Sequence, residues 1–303
     1  MSDRDAVRAL LGREPQGQFQ VVARSRDGSP IVIRNAPLLD DGTPMPTRYW
    51  LIGNDEQRAI GTLESDGGVR RAEAAVDPQE LVDAHRRYAA ERDAAIPADH
   101  QGPRPSGGVG GTRTGVKCLH AHYAWFLAGG DDPVGRWVDR QLNALRIWMG
   151  AAELHLGPLH IPAGPAALAT AHFSADPPRP EDLTNAIGQI SDALDDLLRV
   201  DPQAMHRDII VDGPFAAILA ALEVGGDPPN ELTVDRDAAE DLFRTIATES
   251  RADRRLNPGL HLDRLPIDID IDGHLDSIVG AMCIVVAVMR GLHHASIVLR
   301  SEG

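Results

Sequence analysis

Apolar positions fall at helical spacing over residues 3–11, 54–65 and 78–95, and in short β-rich runs over 18–23, 30–34 and 47–52. Ser2 or Asp3 suits the cap of the first helix. Asp77 suits the cap of the third, with Pro78 and Glu80 in its first turn. Asp-Gly in SRDGS marks a turn between the first two strands, and the proline-rich APLLDDGTPMPT before the third cannot be helical. Residues 97–115 make a long glycine- and proline-rich loop, a length that signals function or mobility in a compact domain. Residues 116–128 read as a helix ended by Gly129-Gly130. Val116, Leu119, His120, Tyr123, Phe126 and Leu127 share one face, and Cys118, His122 and Trp125 lie opposite. Both faces are bulky, so this helix is expected to be largely buried.

Beyond residue 140 short strands alternate with helices. Strands are expected over 144–149, 152–156, 159–161, 208–211 and 295–299, and helices over 165–172, 180–198, 214–223, 235–250 and 274–292. The pattern predicts a small α+β domain over residues 1–140 followed by an α/β domain over 141–303. The helix at 274–292 is apolar nearly all round from Ile278 to Met289, which predicts a partner surface, a second copy being the simplest.

Charge sharpens this division. The net charge is −15, but residues 1–140 hold 18 basic and 20 acidic side chains, so the excess lies in the second half. An acidic half repels polyanions and argues against nucleic acid as a partner. Its one basic patch, Arg251, Arg254 and Arg255, reads as a solvated helix end. No apolar run is long enough for a membrane span, and the charged N-terminus lacks a signal-peptide core. Two cysteines in such a chain favour reduced thiols and a cytoplasmic location.

The densest chemistry lies in GTRTGVKCLHAHYAW. Lys117 is the only lysine in a chain with 30 basic residues. Gly110, Gly111, Arg113 and Lys117 could bind an anion, with flexible backbone N–H groups leading into a helix; the alternative is a plain connector. Cys118 and His122, four apart on a helix, could hold a metal with help from His100 or His85; the alternative is a buried thiol and core histidines. Cys118 could also be a nucleophile with His120 or His122 as base, but helix geometry separates Cys118 from His120.

Two resemblances follow from longer runs. LGREPQG, NAPLLDDGTPMPTRYWL and GVKCLHAHYAWFLAGGDDPVG, all within residues 1–140, resemble the family known as domain of unknown function 501. That resemblance implies a cytoplasmic actinobacterial protein and brings no activity. The second half resembles the C-terminal part of the exopolyphosphatase and guanosine-pentaphosphate phosphohydrolase (Ppx/GppA) family. FSADPPRPEDL, DGPFAAILAALE, SRADRRLNPGLHLDR and DSIVGAMCIVVAVM follow that family's order. The resemblance implies half of an actin-like fold.

In the same family a glycine-rich phosphate loop stands where this chain has RIWMGAAEL. Gly150 and Glu153 remain, but Ala151 and Ala152 replace a glycine and a hydroxyl residue. No counterpart of the family's first Asp-Ile-Gly loop or catalytic glutamate occurs in residues 1–140, and the chain ends where the family continues into a further helix. The expectation is therefore no catalytic residue and a non-catalytic binding or assembly protein with a pseudo-phosphatase domain. Its partner would be a second copy, another protein, or a phosphate-containing small molecule. The rival is a phosphohydrolase of polyphosphate or guanosine pentaphosphate, alone or completed by a partner chain, and only that reading requires magnesium.

Overall fold

The computed structural model describes residues 2–260 and 274–301. The chain divides into two compact units, Met1–Leu142 and Asn143–Gly303, each with its own core. The resemblance run from Ser250 to Arg264 ends outside the described residues.

Unit 1 opens with α1 (Asp3–Leu11), whose Asp5 N–H is accepted by the Ser2 side chain. An antiparallel sheet follows: β1 (Phe19–Arg24), β2 (Pro30–Asn35) and β3 (Tyr49–Leu51), with β2 central. The helices are α2 (Asn54–Ser65), α3 (Gly68–Ala75), α4 (Pro78–Ala94), α5 (Leu119–Leu127) and α6 (Pro133–Asn143). Val32, Tyr49 and Leu51 from the sheet pack with Ile60, Tyr88, Leu119 and Trp125 from the helices. The Tyr88 and Trp125 rings meet edge to face with centroids 5.2 Å apart, a favoured aromatic geometry. Polar atoms need partners in such a core: the Tyr88 hydroxyl accepts the Arg48 N–H at 2.6 Å, and Glu91 serves several others. It accepts from the Tyr49 hydroxyl, from Trp125 Nε1 at 3.2 Å and from Arg48 Nε at 3.2 Å.

Unit 2 is built on a six-stranded sheet in the order β6 (Leu159–Ile161), β5 (Leu154–Leu156), β4 (Leu145–Met149), β7 (Ile209–Asp212), β9 (Ser296–Arg300), β8 (Glu231–Asp235). The pairs β4–β7 and β7–β9 are parallel and the others antiparallel. All four residues of β7 are buried, as suits a central parallel strand covered on both faces. The helices are α7 (Pro165–His172), α8 (Pro180–Val200), α9 (Pro214–Val224), α10 (Arg236–Thr248), α11 (Arg251–Arg255) and α12 (Leu275–Gly291).

Two expectations are corrected here. Every residue of α12 from Ser277 to Met289 is buried, against α7, α8, α9 and α10 of the same unit. Its all-round apolar surface is that of a central helix and does not call for an outside partner. Gly280 permits this packing, because a Cβ there would collide with the Pro165 carbonyl. Nor are the arginines of 250–259 simply solvated. Arg254 is 1% exposed and donates to the Ile246 and Glu249 carbonyls and to Asp276 and Asp176. Arg251 pairs with Asp276 as well. No helix among the described residues is long and apolar enough to cross a membrane.

Candidate functional site

The glycine-rich loop is an ordered latch. Arg92, 1% exposed, donates to the Gly107 carbonyl at 2.6 Å. Val109 donates its N–H to His85 Nδ1, and a short 3-10 turn runs from Val109 to Gly111. Gly108 donates to the Thr112 carbonyl, Gly111 to that of Gly108, and Thr114 to the Thr112 hydroxyl. These N–H groups serve the loop itself. Gly110 lies beside the Lys117 stem, and Lys117 and Arg113 are exposed.

The helix after the loop starts at Leu119, three residues later than the sequence pattern predicts. Cys118 is extended, with φ −162° and ψ 129°, and its side chain caps nothing. Glu64, from the last turn of α2, does the capping instead: its Oε1 accepts the Leu119 N–H at 2.6 Å. A carboxylate is well placed there, at the positive end of the helix dipole. The shifted start changes the chemistry. Cys118 and His120, kept apart on a continuous helix, here approach one another and Glu64. One donor atom from each of the three lies within 4.8 Å of the others, and His120 Nδ1 is 3.2 Å from Glu64 Oε1. All three residues are half-buried. The hydrogen bond with Cys118, with the Glu64 carboxylate adding to it against the effect of burial, pushes the His120 pKa up to about 9.

His122 takes no part in this group. It is 1% exposed, its Nδ1 is 2.8 Å from Asp132 Oδ2, and its ring stands edge-on to His85. So the structure joins Cys118 to His120 and Glu64 and turns His122 into the core. His100 meets the Pro103 carbonyl in its own turn. Cys118 is a free thiol, as is the buried Cys283 of unit 2, whose pKa burial raises to about 12.

In unit 2 the run Gly150–Glu153 is a closed turn between β4 and β5. Gly150 donates its N–H to the Glu153 carbonyl at 3.1 Å. The carbonyls of Ala151 and Ala152 accept from Ala166 at 2.8 Å and Gly164 at 3.0 Å. The start of α7 presses so close that a Cβ on Gly164 would lie 2.5 Å from the Glu153 nitrogen. Asp212, at the end of β7, meets Arg146 at 2.8 Å and Arg300 at 3.3 Å. Beside the turn lies a row that the sequence reading missed. Trp148, His155 and His160 are direct cross-strand neighbours on β4, β5 and β6, and Glu153 Oε2 is 3.4 Å from His160 Nε2. LHLGPLHI, symmetric about Gly157-Pro158, carried that signal.

Residues 21–140 match the family described as protein of unknown function (DUF501). The whole Cys118 group lies inside that match. No curated protein matches the chain. Among solved structures, an exopolyphosphatase-like protein is 18% identical, with a TM-score of 0.44, over 52% of this chain and 53% of that one. A Ppx/GppA phosphatase of Aquifex aeolicus is 15% identical, with a TM-score of 0.41, over 53% and 54%. An exopolyphosphatase from Cytophaga hutchinsonii is 16% identical, with a TM-score of 0.41, over 52% and 53%. The match spans about half the length of each of these structures.

Proposed function

We propose that the protein is a cytoplasmic binding or assembly protein whose unit 2 is a pseudo-phosphatase without turnover. The observation that carries this reading is the closed turn at Gly150–Glu153. A phosphate loop needs converging, unengaged N–H donors and a carboxylate open to a metal. Here the Gly150 N–H is engaged within the turn, the Ala151 and Ala152 carbonyls fix the turn's shape by accepting from Ala166 and Gly164, and Asp212 is matched by two guanidinium groups. Ala151 and Ala152 bring no hydroxyl. Two free thiols, Cys118 and Cys283, suit a reducing compartment.

Phosphate release from polyphosphate and from guanosine pentaphosphate, with magnesium and the purified full chain, tests the reading. No release is expected. Release that is abolished by a substitution within residues 146–153 overturns it in favour of a phosphohydrolase. Binding is read separately by thermal shift with phosphate, pyrophosphate and nucleotides, since a ligand of the folded state raises Tm by mass action. A shift lost in Lys117→Ala would place that ligand at Gly110, Gly111, Arg113 and Lys117. Light scattering decides between a monomer of 32.6 kDa and a self-assembled form.

A further inference from the structure

We propose that Glu64, Cys118 and His120 form a metal site in unit 1 that takes a borderline-soft divalent cation, zinc above all, with one coordination position left to solvent or to a further ligand. The donor set is the first argument. A thiolate, an imidazole and a carboxylate are the three side-chain types that bind zinc, and three protein ligands with an open fourth position is the pattern of a reactive zinc site. The sulfur separates zinc from magnesium and calcium, which prefer oxygen alone.

Geometry is the second argument. Bonds of about 2.0–2.3 Å place two donors on one tetrahedral zinc roughly 3.3–3.7 Å apart. His120 Nδ1 and Glu64 Oε1 are 3.2 Å apart, and all three donors fall within 4.8 Å of one another, so small side-chain rotations close the set. The positions are built from separate elements. The extended backbone of Cys118 and the first turn of α5 bring the sulfur and the imidazole together, and the Leu119 N–H holds the carboxylate from α2 at 2.6 Å. A backbone donor on a ligating carboxylate is the outer support that metal sites use to orient a ligand. One thiolate and one carboxylate also balance the charge of a divalent ion.

A second three-donor group, Glu153, His155 and His160 in unit 2, makes the comparison useful. Its side chains are 55%, 45% and 59% exposed and it has no sulfur. The Cys118 group is half-buried, with fewer water competitors and a softer donor. The two are separable by spectroscopy. Cobalt(II), which occupies zinc sites, gives a near-ultraviolet sulfur-to-metal charge-transfer absorption only when a thiolate is bound. Cys283 is fully buried in α12, so Cys118 is the thiol that can supply it.

The experiment is a titration of the full chain with cobalt(II), followed by competition with zinc. One equivalent of cobalt with the charge-transfer band is expected. Cys118→Ser should abolish the band. His120→Ala and Glu64→Gln should each weaken zinc by about tenfold or more, and His160→Ala should change neither. Absence of the band from the wild-type protein overturns the proposal, and that result needs no variant to fold. So does a band that keeps wild-type affinity in both His120→Ala and Glu64→Gln, or zinc binding that is lost in His160→Ala alone.

Discussion

Val109 donates its backbone N–H to Nδ1 of His85 across 3.1 Å, and Nε2 of the same ring lies 3.1 Å from the Gly115 carbonyl. A ring that accepts at one nitrogen and donates at the other is a neutral imidazole, and here it fastens α4 to both ends of the glycine-rich turn. Burial lowers the His85 pKa, with the nearby His122 acting in the same direction and the Gly115 carbonyl and Asp132 opposing. An unfolded histidine takes a proton near 6.5, whereas the folded one resists it. The stability this residue contributes is therefore complete above that value and is lost as pH falls through the lower folded pKa. Urea denaturation from about pH 8 to about pH 5 should show an acid-side loss in the wild-type chain that is smaller in His85→Gln. Equal acid-side slopes in the two proteins would remove His85 as the cause.

Asp132 is a second tie in the same region. It is fully buried; Oδ2 pairs with His122 Nδ1 and Oδ1 accepts the Gly135 N–H at 2.8 Å, capping α6. Asp132→Ala strips a buried histidine of its partner and a helix of its cap. Leaving a buried polar group without its partner and removing a cap together cost about 2–4 kcal/mol. Asp132→Asn keeps an oxygen for Gly135 and should lose less. Denaturation followed by tryptophan fluorescence reads both, and a loss under about 1 kcal/mol in the alanine variant would contradict this role.

Much of this architecture is legible in the sequence, and the exceptions have physical reasons. Helices with a side-chain cap next to them in sequence, α1 with Ser2 and α4 with Asp77, stand where the pattern puts them. The pattern misses α3, whose start is Gly67-Gly68, and β8, an edge strand that follows GGDPPN. It also misses α6, although Val134, Trp137, Val138 and Gln141 recur at helical spacing behind Asp132; the preceding glycines hid the start. The candidate metal group is the clearest case. Cys118 and His120 are visible as residue types, but the start of α5 is set by Glu64, 55 positions before Leu119. Local spacing therefore predicts the partner His122 instead of His120. The same limit applies to α12, where composition shows an apolar helix and only tertiary packing shows what covers it.

Arg254 concerns unit 2. Its guanidinium binds the Ile246 and Glu249 carbonyls at 3.1 and 2.6 Å, Asp276 at 2.8 Å and Asp176 at 3.4 Å, so one side chain joins α10, the start of α12 and the segment before α8. Arg254→Ala leaves two carboxylates and two carbonyls without that donor and should cost about 3–5 kcal/mol. Arg254→Lys should recover little, because a single ammonium cannot span the same fork. Urea unfolding compares the three proteins, and a lysine variant as stable as wild type would show that charge alone suffices.

The closed turn at Gly150–Glu153 makes a prediction about restoring residues. If only residue identity had been lost, Ala151→Gly with Ala152→Gly would recover an anion cradle. The carbonyls of these two positions are instead tied to the Ala166 and Gly164 N–H groups, and Gly150 donates to Glu153. Those bonds involve backbone atoms, which the substitutions leave in place. The Arg146 and Arg300 pairing with Asp212 would also persist. The double variant should release no phosphate from polyphosphate with magnesium and show no phosphate-induced rise in Tm. It should lose about 1–2 kcal/mol of stability from the added freedom of two glycines in the unfolded chain. Phosphate release by the double variant, above wild type and dependent on magnesium, would mean that the turn can open and that the two alanines alone had silenced it.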